Sequence, residues 1–169
     1  MTCTGETGTG AYTGRKTVGA ATLTLTGCEL VTPKSKCAST GALAGEVVTN
    51  SLVGELGVEK LGATSASNKI GLDLHRGGKT EPLMEFKCGL TAVSVRGSVI
   101  ASITSNKMSL TQALKFKAST KGKQKPESFV GEPKDVLEAS VSGGPFEQIG
   151  LTLTTTQTDE EPVEINSVV

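Results

Sequence analysis

The chain has one histidine, His75, and Asp73 lies two residues before it. That pair is half of a nucleophilic triad, in which a carboxylate orients an imidazole so that its far nitrogen can take a proton from a hydroxyl. Ile70, Leu72 and Leu74 alternate with the pair. In an extended chain Asp73 and His75 therefore share the face opposite the apolar one, and both are expected at the solvent surface beside the Gly77-Gly78 turn. No GxSxG elbow exists to present a nucleophile. A glycosidase needs two carboxylates across a sugar cleft. Glu46, Glu55, Glu81, Glu85, Glu132, Glu138 and Glu147 are available, yet none is marked out, and a chain with no Trp and one Tyr has little ring surface to floor such a cleft.

The four cysteines, Cys3, Cys28, Cys37 and Cys88, include no CxxC pair, and one histidine leaves a zinc site few ligands. Disulfides are the better reading, with three connectivities open. Cys3–Cys28 with Cys37–Cys88 is preferred because the first bridge would tie the N-terminus to the strand ending at Cys28. Cys28–Cys37 with Cys3–Cys88 is the rival. While all four can pair, none is a candidate nucleophile. Asp occurs only at 73, 135 and 159, which gives no calcium loop. Gly8, Gly10 and Gly14 read GxGxxxG with no βαβ pattern around them, so a dinucleotide loop is not expected. Lys115, Lys117, Lys121, Lys123 and Lys125 form the one charge run; only Phe116 is interleaved, and its parity sends it to the core. No catalytic residue, metal or cofactor is therefore expected, and no binding residue can be assigned.

The elements that would carry these residues are strands. Gly (21 residues) together with abundant Thr, Val and Leu favours an all-β chain. Leu83 to Ile103 is the longest apolar run. Met84, Phe86 and Cys88 share one face of it, and the parity changes near Cys88-Gly89-Leu90, which reads as a tight turn or bulge. Ala21, Leu23 and Leu25 alternate with Thr22, Thr24 and Thr26 in the clearest amphipathic strand. Val47-Val48 and Leu52-Val53 are expected to flank a turn at Thr49-Asn50-Ser51. Met108, Leu110, Leu114 and Phe116 predict a long one-sided strand. Residues 118–134 predict the longest irregular segment, either mobile or a cover over one edge. Short strands are expected at Val136–Val141, at Ile149, Leu151 and Leu153, and, after a turn at Asp159–Pro162, at Val163 and Ile165. These sum to about ten short strands in an antiparallel β-sandwich, with a barrel as the alternative. Residues 1–169 form a single β domain in this reading, with 1–16 a loosely packed Gly/Thr-rich arm or edge strand.

Seventeen basic and seventeen acidic side chains leave no long-range field for nucleic acid or an anionic membrane. No apolar run approaches the ~18 residues of a membrane span, and no charged-then-apolar leader opens the chain. The segments CTGETGTGAYTG (3–14), LTLTGCE (23–29), GEVVTNSLVGELG (45–57), VRGSVIASIT (95–104), NKMSL (106–110), KQKPESFVGEPKDVLEASVSGGPFEQ (123–148) and EEPVEINSVV (160–169) resemble a family of small secreted β proteins of soil actinobacteria. The resemblance implies export, with the signal peptide removed, and supports disulfides; the family carries no known chemistry from which a site could be transferred. The expected role is that of a secreted or cell-surface, non-catalytic structural or interaction domain whose partner is itself or a cell-surface component. A small apolar ligand held between sheets is the alternative, and a hydrolase the remote one.

Overall fold

A computed structural model describes residues 1–78, 80–104 and 107–165. Among these, fifteen strands follow one another: β1 (Gly5–Tyr12), β2 (Thr17–Thr26), β3 (Glu29–Leu30), β4 (Ser35–Ala38), β5 (Val47–Val48), β6 (Leu52–Lys60), β7 (Lys69–His75), β8 (Pro82–Cys88), β9 (Thr91–Arg96), β10 (Ser98–Ile103), β11 (Ser109–Ala118), β12 (Gln124–Lys125), β13 (Glu138–Val141), β14 (Glu147–Gln148) and β15 (Leu153–Val163). They form an all-β sandwich of two antiparallel sheets. The larger runs β1-β2-β6-β7-β10-β11-β12, with β15 also on β11 and β5 on β2; the smaller runs β14-β13-β9-β8-β4-β3. The larger sheet is curved into a half-barrel.

Alternation builds the core. Ala21, Leu25, Leu52, Leu72, Leu74, Val99, Ala101, Leu114 and Phe116 of the larger sheet meet Leu83, Met84, Phe86 and Val95 of the smaller one in a single cluster. The Leu83–Ile103 run supplies three strands, β8, β9 and β10. It turns at Gly89 (φ +63°) and crosses between sheets at Gly97 (φ +92°), where a Cβ would strike the Val136 carbonyl. Only glycine takes that backbone conformation without penalty. Two disulfides join the chain, Cys3–Cys28 and Cys37–Cys88. Cys37 and Cys88 are directly opposed on β4 and β8. Such bonds persist in oxidising, extracytoplasmic surroundings.

The structure corrects several expectations. Asp73 and His75 are buried, 8% and 9% exposed, and so is every residue of β7 after Lys69. Alternation finds two faces of a strand but not what lies on them. The inner face of β7 meets the core. The outer face is roofed by residues 126–137, which place the Phe129 ring over Gly57 and the Val136 carbonyl over Gly97, while Val130 N–H donates to Val58 O at 2.7 Å. Met108 and Leu110 are exposed, and the parity they share with Leu114 instead buries Gln112, 1% exposed. Its amide donates to the carbonyls of Lys107 and Val163, both at 3.1 Å. No turn reverses the chain at Asp159–Pro162, but the ladder slips there: Thr158 faces Thr111 and Val163 faces Ser109, so residues 159–162 bulge within β15, and Ile165 lies beyond the strand. Residues 149–152 are not strand, and β13 begins at Glu138, two residues later than Val136. Val47-Val48 and Leu52 flank no hairpin, because β5 and β6 both pair with β2. Residues 1–16 contribute an edge strand, paired to β2 from Gly5 to Tyr12.

Candidate interaction site

The register of the larger sheet gathers the triad residue types. His75 faces Ser98 across β7 and β10, and Asp73, on the same face, lies between Glu55 and Ile100. Ser98 is fully buried, and its hydroxyl has no partner among the described residues. His75 Nδ1 lies 2.6 Å from the Arg76 carbonyl and donates there. All three residues are buried. A hydroxyl with no exposed surface meets no substrate, so the arrangement serves packing.

The carboxylates are dispersed or already engaged. Glu81 pairs with Arg76 at 2.9 Å, Glu138 with Arg96 at 3.0 Å and Glu127 with Lys134 at 2.7 Å, while Glu46 accepts from Leu43 N–H at 3.2 Å. Glu59 is partly enclosed: Ser102 Oγ donates to its Oε2 at 2.9 Å, and burial pushes its carboxyl above the ordinary value. An open groove of about 460 Å³ crosses the outer face of the smaller sheet, beside Lys87, Ser140 and Phe146; Glu85 is its one carboxylate. Arg96 covers the Phe146 ring at 3.7 Å. A lone carboxylate beside a lysine is no glycosidase pair. Lys115, Lys117, Lys121, Lys123 and Lys125 are exposed with no ring among them, a solvated strand end and loop.

The arrangement with unspent bonding capacity is the edge of the larger sheet. Thr13 N–H donates to Thr17 O, which fixes the alternation at that end of β1. Ala11, Thr9 and Thr7 then bond to β2, while Glu6, Gly8, Gly10 and Tyr12 turn their N–H and C=O groups outward. At the other edge, Thr104 N–H donates to Ala113 O. The even residues of β11 therefore bond to Leu153, Thr155 and Gln157, and Thr154, Thr156 and Thr158 of β15 face outward. β1 is exposed almost throughout. It carries no proline and one charge, Glu6, and the irregularity in its ladder falls beside Ala20 (φ +50°) of β2. β15 carries Asp159, Glu160, Glu161 and Pro162, features that guard an edge.

One clasp joins the two edges. The Tyr12 hydroxyl donates to Asp159 Oδ1 at 3.0 Å, and Gln157 Nε2 donates to Tyr12 Oη and to Asp159 Oδ1, each at 2.6 Å. Partial burial, then the hydrogen bond to Asp159 and its charge, raise the Tyr12 phenol above 10.0. Sequence reasoning placed Asp159 in a turn and gave none of the three residues a part in a site. The available signal was the sole tyrosine of the chain ending a glycine-rich strand.

Among the described residues no group of three or more His, Cys, Asp or Glu is placed to hold a metal ion, and no helix is long and apolar enough to cross a membrane. No family model matches the chain, and neither a curated protein nor a solved structure matches it.

Proposed function

We propose that this is a secreted or cell-surface, non-catalytic interaction domain that acts by pairing the open edge of β1 with a strand from another chain, either a second copy or a cell-surface protein. The observation that carries the proposal is β1 itself: eight residues with one ladder formed and the other free, guarded on the free side by a single charge, Glu6, and by no proline. Export rests on the two disulfides and on the resemblance to secreted actinobacterial proteins. The buried Asp73–His75–Ser98 cluster and the scattered carboxylates support the non-catalytic reading.

The test is the solution mass of the unreduced protein by light scattering over a wide concentration range, for wild type and for Gly10→Pro. A Cβ at Gly10 meets only ordinary contacts, 3.4 Å to Val18 and 3.5 Å to Ala21, and its N–H lies on the free side, so the proline removes an edge donor while sparing the β1–β2 ladder. A mass that rises with concentration in wild type alone identifies self-association through β1. A monomer in both leaves only a different partner. A monomer that also takes up no strand-forming peptide at β1 removes the proposal.

A further inference from the structure

The larger sheet carries a constraint beyond one free edge. Seven of its strands follow one another as β15-β11-β10-β7-β6-β2-β1, every neighbouring pair antiparallel. With an odd number of alternating strands, the two outermost, β1 and β15, run in the same direction and cannot extend the pattern by pairing with each other. One further strand, antiparallel to both, would. Its residues facing the inside of the half-barrel would bond to Glu6, Gly8, Gly10 and Tyr12, and its residues facing outward to Thr154, Thr156 and Thr158. Those are the groups that the two ladders leave free, so the hydrogen-bond parity of both rims fits the same inserted strand.

The width fits as well. Two strands separated by a third stand ~9.6 Å apart, twice the inter-strand spacing. Tyr12 and Asp159, whose side chains meet end to end at 3.0 Å, bridge a gap of roughly that width. Beside the clasp, Asp159 Oδ2 and Gln112 Oε1 are buried acceptors with no partner among the described residues. Charge gives the direction. β1 and β15 together carry Glu6, Asp159, Glu160 and Glu161 and no basic residue, with three of the four acids at the Tyr12 end. A strand antiparallel to both enters at that end with its N-terminus.

We infer that the gap between β1 and β15 takes one extended segment of another polypeptide, basic at its N-terminal end, which completes an eight-stranded antiparallel barrel. This rests on the β1-edge reading and narrows it. A segment flanked by β1 and β15 has no room for a sheet of its own beside it, so the partner offers a free, extended stretch of about eight residues, not the β1 edge of a second folded copy. Large apolar side chains on its inward positions would cover Gly8 and Gly10, which present no side chain there. Its outward positions would join the threonine rows Thr7 and Thr9 on one side and Thr154, Thr156 and Thr158 on the other.

The probe is the synthetic decapeptide KKTVTFTVTF, followed by fluorescence anisotropy and by amide exchange on the wild-type protein. The expected result is slowed exchange at Gly8 and Gly10 and also at Thr154 and Thr156, with binding weakened about tenfold or more by Gly10→Pro and by Thr156→Pro. EETVTFTVTF should bind several-fold more weakly, and equal affinity overturns the assigned direction. Exchange on wild type decides the matter should either proline variant fail to fold. Protection confined to β1, with Thr156→Pro inert, overturns the inserted strand and leaves edge pairing standing. No protection at either rim, with the peptide free or fused after Val169 to raise its effective concentration to about millimolar, overturns both readings.

Discussion

Removing the Cys3–Cys28 bridge in a Cys3→Ala/Cys28→Ala variant isolates what holds β1 in place. The bridge closes a loop of 25 residues, and restoring that freedom to the unfolded chain lowers stability by about 3.5 kcal/mol in the chain-entropy model. Cys28 is fully buried, so the lost sulfur adds up to ~1 kcal/mol of unfilled space. With a urea dependence of about 2 kcal/mol per molar, the unfolding midpoint should fall by ~2 M. The same substitution at Cys37 and Cys88, which closes 51 residues, should cost about 4.1 kcal/mol from the loop alone and somewhat more in total, because both sulfurs are buried. The assays are urea unfolding without reductant and limited proteolysis. Only the first variant should gain cleavage within Gly5–Tyr12, because β1 has one neighbour and loses its covalent anchor. A midpoint within ~0.5 M of wild type would refute the reasoning, since the bridge would then not constrain the unfolded chain.

Three other outcomes are expected. Burial raises the Glu59 carboxyl above 4.5, so the stability tied to its neutral form is complete below that pH and is lost as pH rises through the folded value. Glu59→Gln, which keeps an acceptor for Ser102, should remove that slope and exceed wild type in stability at neutral pH, read by urea midpoints at several pH values. Ser98→Ala deletes a buried hydroxyl with no protein partner among the described residues and should stabilise by about 1 kcal/mol; a loss of that size would mean that the hydroxyl is bonded through water. Phe116→Ala empties a core position that is 1% exposed and should cost ~3–5 kcal/mol in calorimetric or urea unfolding, whereas a cost below ~1 kcal/mol would show that the core collapses around it.

Much of the sandwich is local information, and the chain by itself determined it. Alternating Leu and Thr in β2, the odd-numbered valines of Leu83–Ile103 and the punctuating glycines specify strands because a strand's side-chain period is two whatever surrounds it. The cysteines, even in number and unsuited to a metal, pointed to two bridges, and the preferred pairing is the one formed. Tertiary structure alone decided where each strand stands. Asp73 and His75 carry the local pattern of an exposed face, yet Phe129 and Val136, more than fifty residues later, roof it. Gln112 occupies an apolar parity because carbonyls from Lys107 and Val163 await its amide. The candidate site was the least legible part, since strand direction, hydrogen-bond parity and the Tyr12–Asp159 clasp arise only when residues 147 apart meet. Side-chain periodicity is set by neighbours along the chain, whereas a sheet edge is defined by which strand is missing beside it, and that is a property of the assembled sheet.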